Sequence, residues 1–263
     1  MSTILDEIVT NRLAEVSRQK KVVTLKELQQ KTDLRIPRNS LSANLLFKGN
    51  SGIIAEFKRR SPSKGVINDR VEPEIVTKGY ADAGASGLSV LTDTRYFGGT
   101  SADFIAARAI NPNTPILRKD FIVDEYQLFE SRFLNADVIL LIAAVLGKEE
   151  IAHFTSVAHD LGMEVLLELH DESEIEKIDN RVDLIGINNR NLKDFKVDME
   201  RSLQLFNQLP PDAVKISESG ISDPETVDFL RSKGFQGFLM GENFMKTDNP
   251  SASCLEFISK LNY

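Results

Sequence analysis

The sequence predicts an α/β chain folded as a (β/α)8 barrel with an N-terminal helical extension. Two observations predict it: eight short β-branched runs alternate with amphipathic stretches after residue 50, and several of those runs end in charged or amide side chains. Near-continuous apolar strands separated by helices imply a parallel sheet covered by helices, and eight is the number at which such a sheet closes on itself. A length of 263 residues suits one barrel of this kind, although two small domains would fit it equally.

Residues 1–49 precede the first strand. Ile4, Leu5, Ile8, Leu13 and Val16 recur at helical spacing on one side, which predicts a helical cap outside the barrel. The barrel then occupies residues 50–263, with no Gly/Ser linker or low-complexity tract to divide it, so a single domain is expected. Its strands are expected at Ile53–Phe57, Gly87–Leu91, Pro115–Arg118, Asp137–Ile142, Glu164–Leu169, Leu184–Asn188, Val214–Ser217 and Gly237–Met240. Between them, Pro73 to Gly84 and Lys148 to Gly162 carry apolar residues at helical spacing and stop at glycine. Asp223-Pro224-Glu225 supplies an N-cap and a first-turn proline for a helix over Thr226 to Lys233, which Gly234 ends. The apolar run Val138 to Leu146 is too short to cross a bilayer and reads as a buried strand entering a loop. A doubly wound open sheet would carry a glycine-rich turn after an early strand, and none is present; Gly147-Lys148 lacks the upstream glycine of a phosphate-cradling loop.

A formal net charge of -7 argues against a nucleic-acid or anionic-membrane partner, so Lys58-Arg59-Arg60 is a local feature. The single cysteine, Cys254, excludes an intramolecular disulfide and any cysteine-rich metal site, and its place in a last helix makes it a packing residue. The N-terminus carries acids where a secretory signal carries positive charge, so the expected location is cytoplasmic. His153 and His159 lie on a helix without the spacing of a zinc pair. His170 stands two residues after Glu168, too isolated to make a metal site.

The most informative stretch is Ile-Ile-Ala-Glu56-Phe-Lys58-Arg-Arg-Ser61-Pro-Ser-Lys-Gly65. Residues two apart on a strand share a face, so Glu56 and Lys58 look into one space and Ala55 and Phe57 into the other layer. Because a buried charge is costly unless paired, this pattern marks either a ligand-facing site or a structural ion pair. In such barrels the chemistry sits at the carboxyl ends of the strands. Those ends supply Glu56 and Lys58, Thr92 to Gly99 with Phe97, Lys119 with Phe121, Glu168, Asn188 with Arg190, Glu218 with Ser219 and Gly220, and Gly241 with Glu242. Each alone reads as a solvated strand end. Gathered in one mouth, the lysines and glutamates would shift one another's proton affinities and supply an acid and a base near neutral pH. The Ser219-Gly220 and Gly241-Glu242 loops stand where such barrels hold phosphate with backbone amides and a short extra helix, and the glycines let the backbone come close.

On these residues the chain resembles the indole-3-glycerol phosphate synthase family. The resemblance runs from Ile-Leu-Asp-Glu-Ile-Val near the N-terminus through Glu-Phe-Lys-Arg-Arg-Ser-Pro-Ser-Lys-Gly, Ser-Val-Leu-Thr-Asp-Thr-Arg-Tyr-Phe-Gly-Gly, Leu-Arg-Lys-Asp-Phe-Ile-Val-Asp-Glu-Tyr-Gln, Gly-Ile-Asn-Asn-Arg-Asn-Leu and Ser-Glu-Ser-Gly-Ile. It implies a small phosphorylated substrate, 1-(2-carboxyphenylamino)-1-deoxyribulose 5-phosphate, which cyclises and loses CO2 and water without metal or organic cofactor. By likeness, Lys119 is the general acid, with a lowered pKa in a cationic pocket, and Glu168 the base and proton shuttle. Lys58 would hold the leaving carboxylate, Glu56 and Glu218 would orient lysines and hydroxyls, and Asn188 and Arg190 would fix polar and anionic groups. Phe97 and Phe121 would wall the aromatic ring, and Ser61 would belong to a loop closing over the substrate. Ser219, Gly220, Gly241 and the backbone N–H of Glu242 would hold phosphate, which requires the Glu242 carboxylate to turn outward. A monomer without an obligate protein partner is expected. Two rivals stay open: a sugar-phosphate aldolase with Lys119 or Lys58 as Schiff-base nucleophile, and a catalytically silent phosphate-binding module.

Overall fold

The computed structural model describes residues 3–190 and 196–263. The chain begins with helices α1 (Ile4–Val22), α2 (Leu25–Lys31) and α3 (Leu41–Leu46), then enters strand β1 (Ile53–Phe57) and a two-stranded ribbon of β2 (Arg60–Ser61) and β3 (Gly65–Val66). There follow α4 (Pro73–Asp82), β4 (Gly87–Leu91), α5 (Thr94–Phe97), α6 (Ser101–Ile110), β5 (Ile116–Lys119), α7 (Tyr126–Phe133), β6 (Val138–Ile142), α8 (Lys148–Asp160) and β7 (Glu164–Leu169). A 3-10 turn (Glu172–Lys177) leads to β8 (Leu184–Asn188), α9 (Met199–Phe206), β9 (Val214–Glu218), α10 (Pro224–Ser232), β10 (Gly237–Met240), α11 (Glu242–Met245) and α12 (Pro250–Ile258). All strands except the ribbon pair in parallel, and β1 bonds both β4 and β10, which closes the barrel. The expected strands are all found, with ends shifted by a residue at most; the ribbon and the one-turn helix α5 lie where only loops were expected.

Two apolar layers hold the barrel. Ile54, Leu117, Leu140, Leu166, Leu184, Ile216 and Leu239 fill its interior, whereas Ala55, Phe57, Leu88, Ile139, Leu167 and Ile187 face the surrounding helices. The alternation Ile54 inward, Ala55 outward, Glu56 inward follows from the two-residue period of a strand. Leu41 and Leu45 of α3 join the inner layer and plug the amino-terminal mouth. The Glu164 carboxylate accepts the Leu41 and Ser42 N–H groups at 2.8 and 3.0 Å, an anion where the α3 dipole favours one. Among the described residues, the cavity opens at the opposite, carboxyl-terminal mouth.

The cap is helical as expected, but its packed face differs. Ile8, Arg12 and Val16, four residues apart, are buried, while Leu13 is 49% exposed. A guanidinium that finds acid partners can be buried along with its apolar stem, and a reading of apolar spacing alone does not count it. Cys254 is fully buried in α12, and burial pushes its thiol up to about 12, so it is inert packing. No helix among the described residues is long and apolar enough to cross a membrane.

Candidate active site

Strand parity decides which side chains reach the open mouth. The inner apolar residues Ile54, Leu117, Leu166 and Ile216 are followed two positions on by Glu56, Lys119, Glu168 and Glu218, which therefore also point inward. Two positions further along, Lys58 and His170 continue the same faces, and Asn188 does so on β8. Together with the loops they line a cavity of about 360 Å³ floored by Leu140 and Ile142. All fourteen residues picked from the sequence line it: Glu56, Lys58, Ser61, Phe97, Lys119, Phe121, Glu168, Asn188, Arg190, Glu218, Ser219, Gly220, Gly241 and Glu242.

At the centre, Lys119 Nζ lies 2.8 Å from Glu168 Oε2 and 2.6 Å from Glu218 Oε2. Glu168 Oε1 accepts a hydrogen bond from Asn188 Nδ2 at 3.1 Å and faces His170 Nε2 at 3.0 Å. Lys58 Nζ is 2.7 Å from Glu56 Oε1. Burial alone would lower the Lys119 ammonium, but the Glu168 and Glu218 charges outweigh it and raise its pKa. This contradicts the lowered value expected of a cationic pocket, because the groups nearest the lysine are anions. Burial would raise Glu168, yet Lys119 and His170 pull it well below the usual carboxylate range. Burial, partly opposed by Lys119 and reinforced by Glu168, pushes Glu218 up to about 7. The centre thus holds a cation, an anion and one carboxyl poised near neutrality.

The far end is made by the loops after β9 and β10. Ser219 adopts a left-handed φ of 70°, a form that costs about 1–3 kcal/mol for a residue with a Cβ. Its carbonyl is held by Asn189 Nδ2 at 2.9 Å. Gly220 follows with φ 76°, and a Cβ there would strike Val197. At Gly241 a Cβ would come within 2.5 Å of Glu56 Oε1, so this glycine gives room to the acid on β1 as well as to any ligand. The Glu242 side chain is 33% exposed and turns to the rim, where its oxygens lie 3.4 Å from Arg190 Nη2 and 3.8 Å from Lys64 Nζ. Arg190 is therefore shared with Glu242. Asn188, besides bonding Glu168, accepts the Arg190 backbone N–H at 3.0 Å, which leaves one amide hydrogen for a ligand.

The apolar side is formed by Phe97 on α5 and Phe121 after β5, whose ring centroids are 6.0 Å apart. Ile4, Leu5 and Ile8 of α1 complete it, so the cap forms part of the cavity wall. Ser61 sits on the ribbon, and just before it Arg59 ties this segment to helix α6 through Asp103 at 2.6 and 2.9 Å. The sequence sets His170 aside as a metal ligand and places Ile4, Leu5 and Ile8 in a cap outside the barrel, yet all four line the cavity. His170 shares the parity of Glu168 and was legible on that ground; the α1 residues carry no local signal of where their face docks. Asn191 and Leu192, the end of the Gly-Ile-Asn-Asn-Arg-Asn-Leu motif, lie outside the described residues. Among the described residues no cluster of His, Cys, Asp and Glu is arranged to hold a metal ion.

The family model for indole-3-glycerol phosphate synthase matches residues 5–257. The indole-3-glycerol phosphate synthase of Bacteroides thetaiotaomicron is 48% identical over 261 residues, covering 99% of this chain and 100% of that protein. The enzyme of the same name from Neisseria meningitidis serogroup C is 43% identical over 256 residues, covering 96% and 98%. Among solved structures, 3-hexulose-6-phosphate synthase from Salmonella typhimurium superposes with a TM-score of 0.62 at 12% identity, over 79% of this chain and 97% of that one. The tryptophan synthase alpha subunit from Legionella pneumophila gives 0.59 at 12% identity, over 79% and 89%. At such identities these two show a shared barrel fold and nothing more.

Proposed function

Because this chain belongs to the indole-3-glycerol phosphate synthase family, we propose that it converts 1-(2-carboxyphenylamino)-1-deoxyribulose 5-phosphate to indole-3-glycerol phosphate, CO2 and water by acid–base chemistry centred on Lys119. The observation that carries this reading is the ammonium of Lys119 held between Glu168 at 2.8 Å and Glu218 at 2.6 Å, in the cavity that also holds the Glu56–Lys58 pair.

In ring closure the aromatic carbon bearing the carboxylate attacks the ribulose ketone, and Lys119 gives its proton to the ketone oxygen. Lys58 holds the carboxylate, which leaves as CO2 while its electron pair restores the aromatic ring. The new hydroxyl then departs as water with a second proton, and Glu168 takes a proton from the neighbouring carbon to form the indole double bond. Two protons go onto oxygen and one comes off carbon. The cycle therefore consumes one proton, as conversion of a carboxylate to CO2 requires.

The charge pattern supports this order. While Lys119 is charged, Glu168 is a weak base; once Lys119 has given up its proton, the cation that held Glu168 down is gone and its basicity rises at the step that needs it. Glu218, near neutrality and 2.6 Å from Nζ, is placed to return a proton to the amine. Phe97, Phe121 and α1 would take the aromatic ring, with Asn188 and Arg190 on polar groups. Ser219, Gly220, Gly241 and the Glu242 backbone would take the phosphate.

In this reading the enzyme works as a cytoplasmic monomer without metal or organic cofactor. Indole fluorescence appearing when purified protein meets the carboxyphenylamino-ribulose phosphate in EDTA tests it. A borohydride-trapped adduct on Lys119 or Lys58 would overturn it in favour of the aldolase.

A further inference from the structure

Helix α1 is fastened to the active-site rim by a buried ion cluster that the chemistry above does not use. Arg12 is 5% exposed, and its Nη2 lies 2.9 Å from Asp93 Oδ2 and 2.8 Å from Asp120 Oδ1. Both acids stand at the roots of cavity walls. Asp120 follows Lys119 directly, and its Oδ1 also accepts the Phe121 backbone N–H at 2.8 Å. Asp93 caps α5, the turn that carries Phe97, by accepting the Tyr96 N–H at 2.7 Å. A second tie runs from Arg95 Nη1 on α5 to Asn11 Oδ1 on α1 at 3.0 Å. One turn before Arg12 is Ile8 and two turns before it is Ile4, and both line the cavity. The Arg12 guanidinium bridges both aspartates through Nη2 while Nη1 lies 2.9 Å from Glu15 Oε2 on its own helix, so the planar fork fixes the angle between α1 and the two walls. Burying such charges adds little net stability, so what the cluster supplies is fixed spacing.

We propose that Arg12 is a positioning residue for the aromatic half of the substrate, joining the α1 wall of Ile4, Leu5 and Ile8 to the Phe97–Phe121 wall so that the two close on one ring. This rests on the ring-closing reading of the cavity. The phosphate end, built by the loops after β9 and β10, lies outside the cluster, so the two halves of the substrate should respond differently when Arg12 is changed.

The test compares wild type, Arg12→Met and Arg12→Lys by titration calorimetry. The probes are the substrate with its ketone reduced to an alcohol, which cannot cyclise, and inorganic phosphate. Arg12→Met should weaken the reduced substrate about tenfold, the scale of a lost apolar contact, leave phosphate affinity unchanged, and raise KM with kcat altered by less than about threefold. Arg12→Lys, which keeps charge but not the fork, should recover part of the loss. Equal weakening of both probes, or of neither, overturns the proposal. Should Arg12→Met fail to fold, Arg95→Met breaks the second tie and must give the same selective loss at smaller size; unchanged affinity for the reduced substrate would overturn the proposal there. Wild type that binds the reduced substrate but does not turn over the natural one refutes the ring-closing reading while leaving the selective loss measurable.

Discussion

The Lys119 ammonium lies 2.6 Å from the Glu218 carboxylate, one oxygen of which is buried without a hydrogen-bond partner. Burial leads the upward shift of Glu218 to about 7 from an ordinary 4.5. Folded protein therefore keeps this proton at pH values where the unfolded chain has lost it. Glu218 contributes stability that is fully present below the ordinary carboxylate range and is lost as pH rises from there through about 7. Urea unfolding between these limits should show a component falling by up to about 1.4 kcal/mol per pH unit, absent from Glu218→Gln. If Glu218 feeds protons to Lys119, kcat should fall on the alkaline side near the same pH, and that limb should vanish in the variant. A limb that persists unchanged in Glu218→Gln assigns the proton supply elsewhere.

Lys119→Ala and Glu168→Gln should each lower turnover by about 10^2-fold or more, the scale of general acid–base effects. The alanine variant also leaves Glu168 and Glu218 facing each other without their shared cation, so their paired titration should move to higher pH. Near-normal indole fluorescence rates in both variants would refute the assigned roles.

The central carboxylates and lysines were legible because a strand repeats every two residues. Once Ile54, Leu117, Leu166 and Ile216 are inner residues, the side-chain directions of Glu56, Lys119, Glu168 and Glu218 follow, whatever their separation along the chain. The sign of the Lys119 shift was not legible, since it depends on which charges lie within 3 Å, a matter of barrel closure. The same holds for Arg12. Its burial rests on Asp93 and Asp120, which are distant in sequence, so a hydrophobic pattern favours exposed Leu13 in its place.

His170 sets how tightly Glu168 holds its charge. Burial opposes the imidazolium, but the Glu168 carboxylate at 3.0 Å favours it and raises its pKa, and the charged ring in turn helps hold Glu168 low. Removing the ring should raise the Glu168 pKa. His170→Asn is expected to move the acid limb of the kcat profile to higher pH and to lower kcat by about tenfold, less than loss of Lys119. An acid limb that stays in place after the substitution would show that His170 does not act through Glu168.

Gly241 separates two reasons for a glycine. If its role is only to bring backbone to an anion, Gly241→Ala should weaken inorganic phosphate binding and leave decarboxylation chemistry intact. The 2.5 Å approach of an added Cβ to Glu56 Oε1 predicts otherwise. The carboxylate must move, and with it the Lys58 ammonium it holds at 2.7 Å, so kcat should fall as well as phosphate affinity. Double substitution distinguishes the two, because Glu56→Gly removes the whole obstructed side chain, including the Cβ that would stand 2.9 Å from the added one. Gly241→Ala made in that background should cost no further kcat if the glycine serves Glu56, whereas an added loss of the full single-variant size would mean that the two residues act independently.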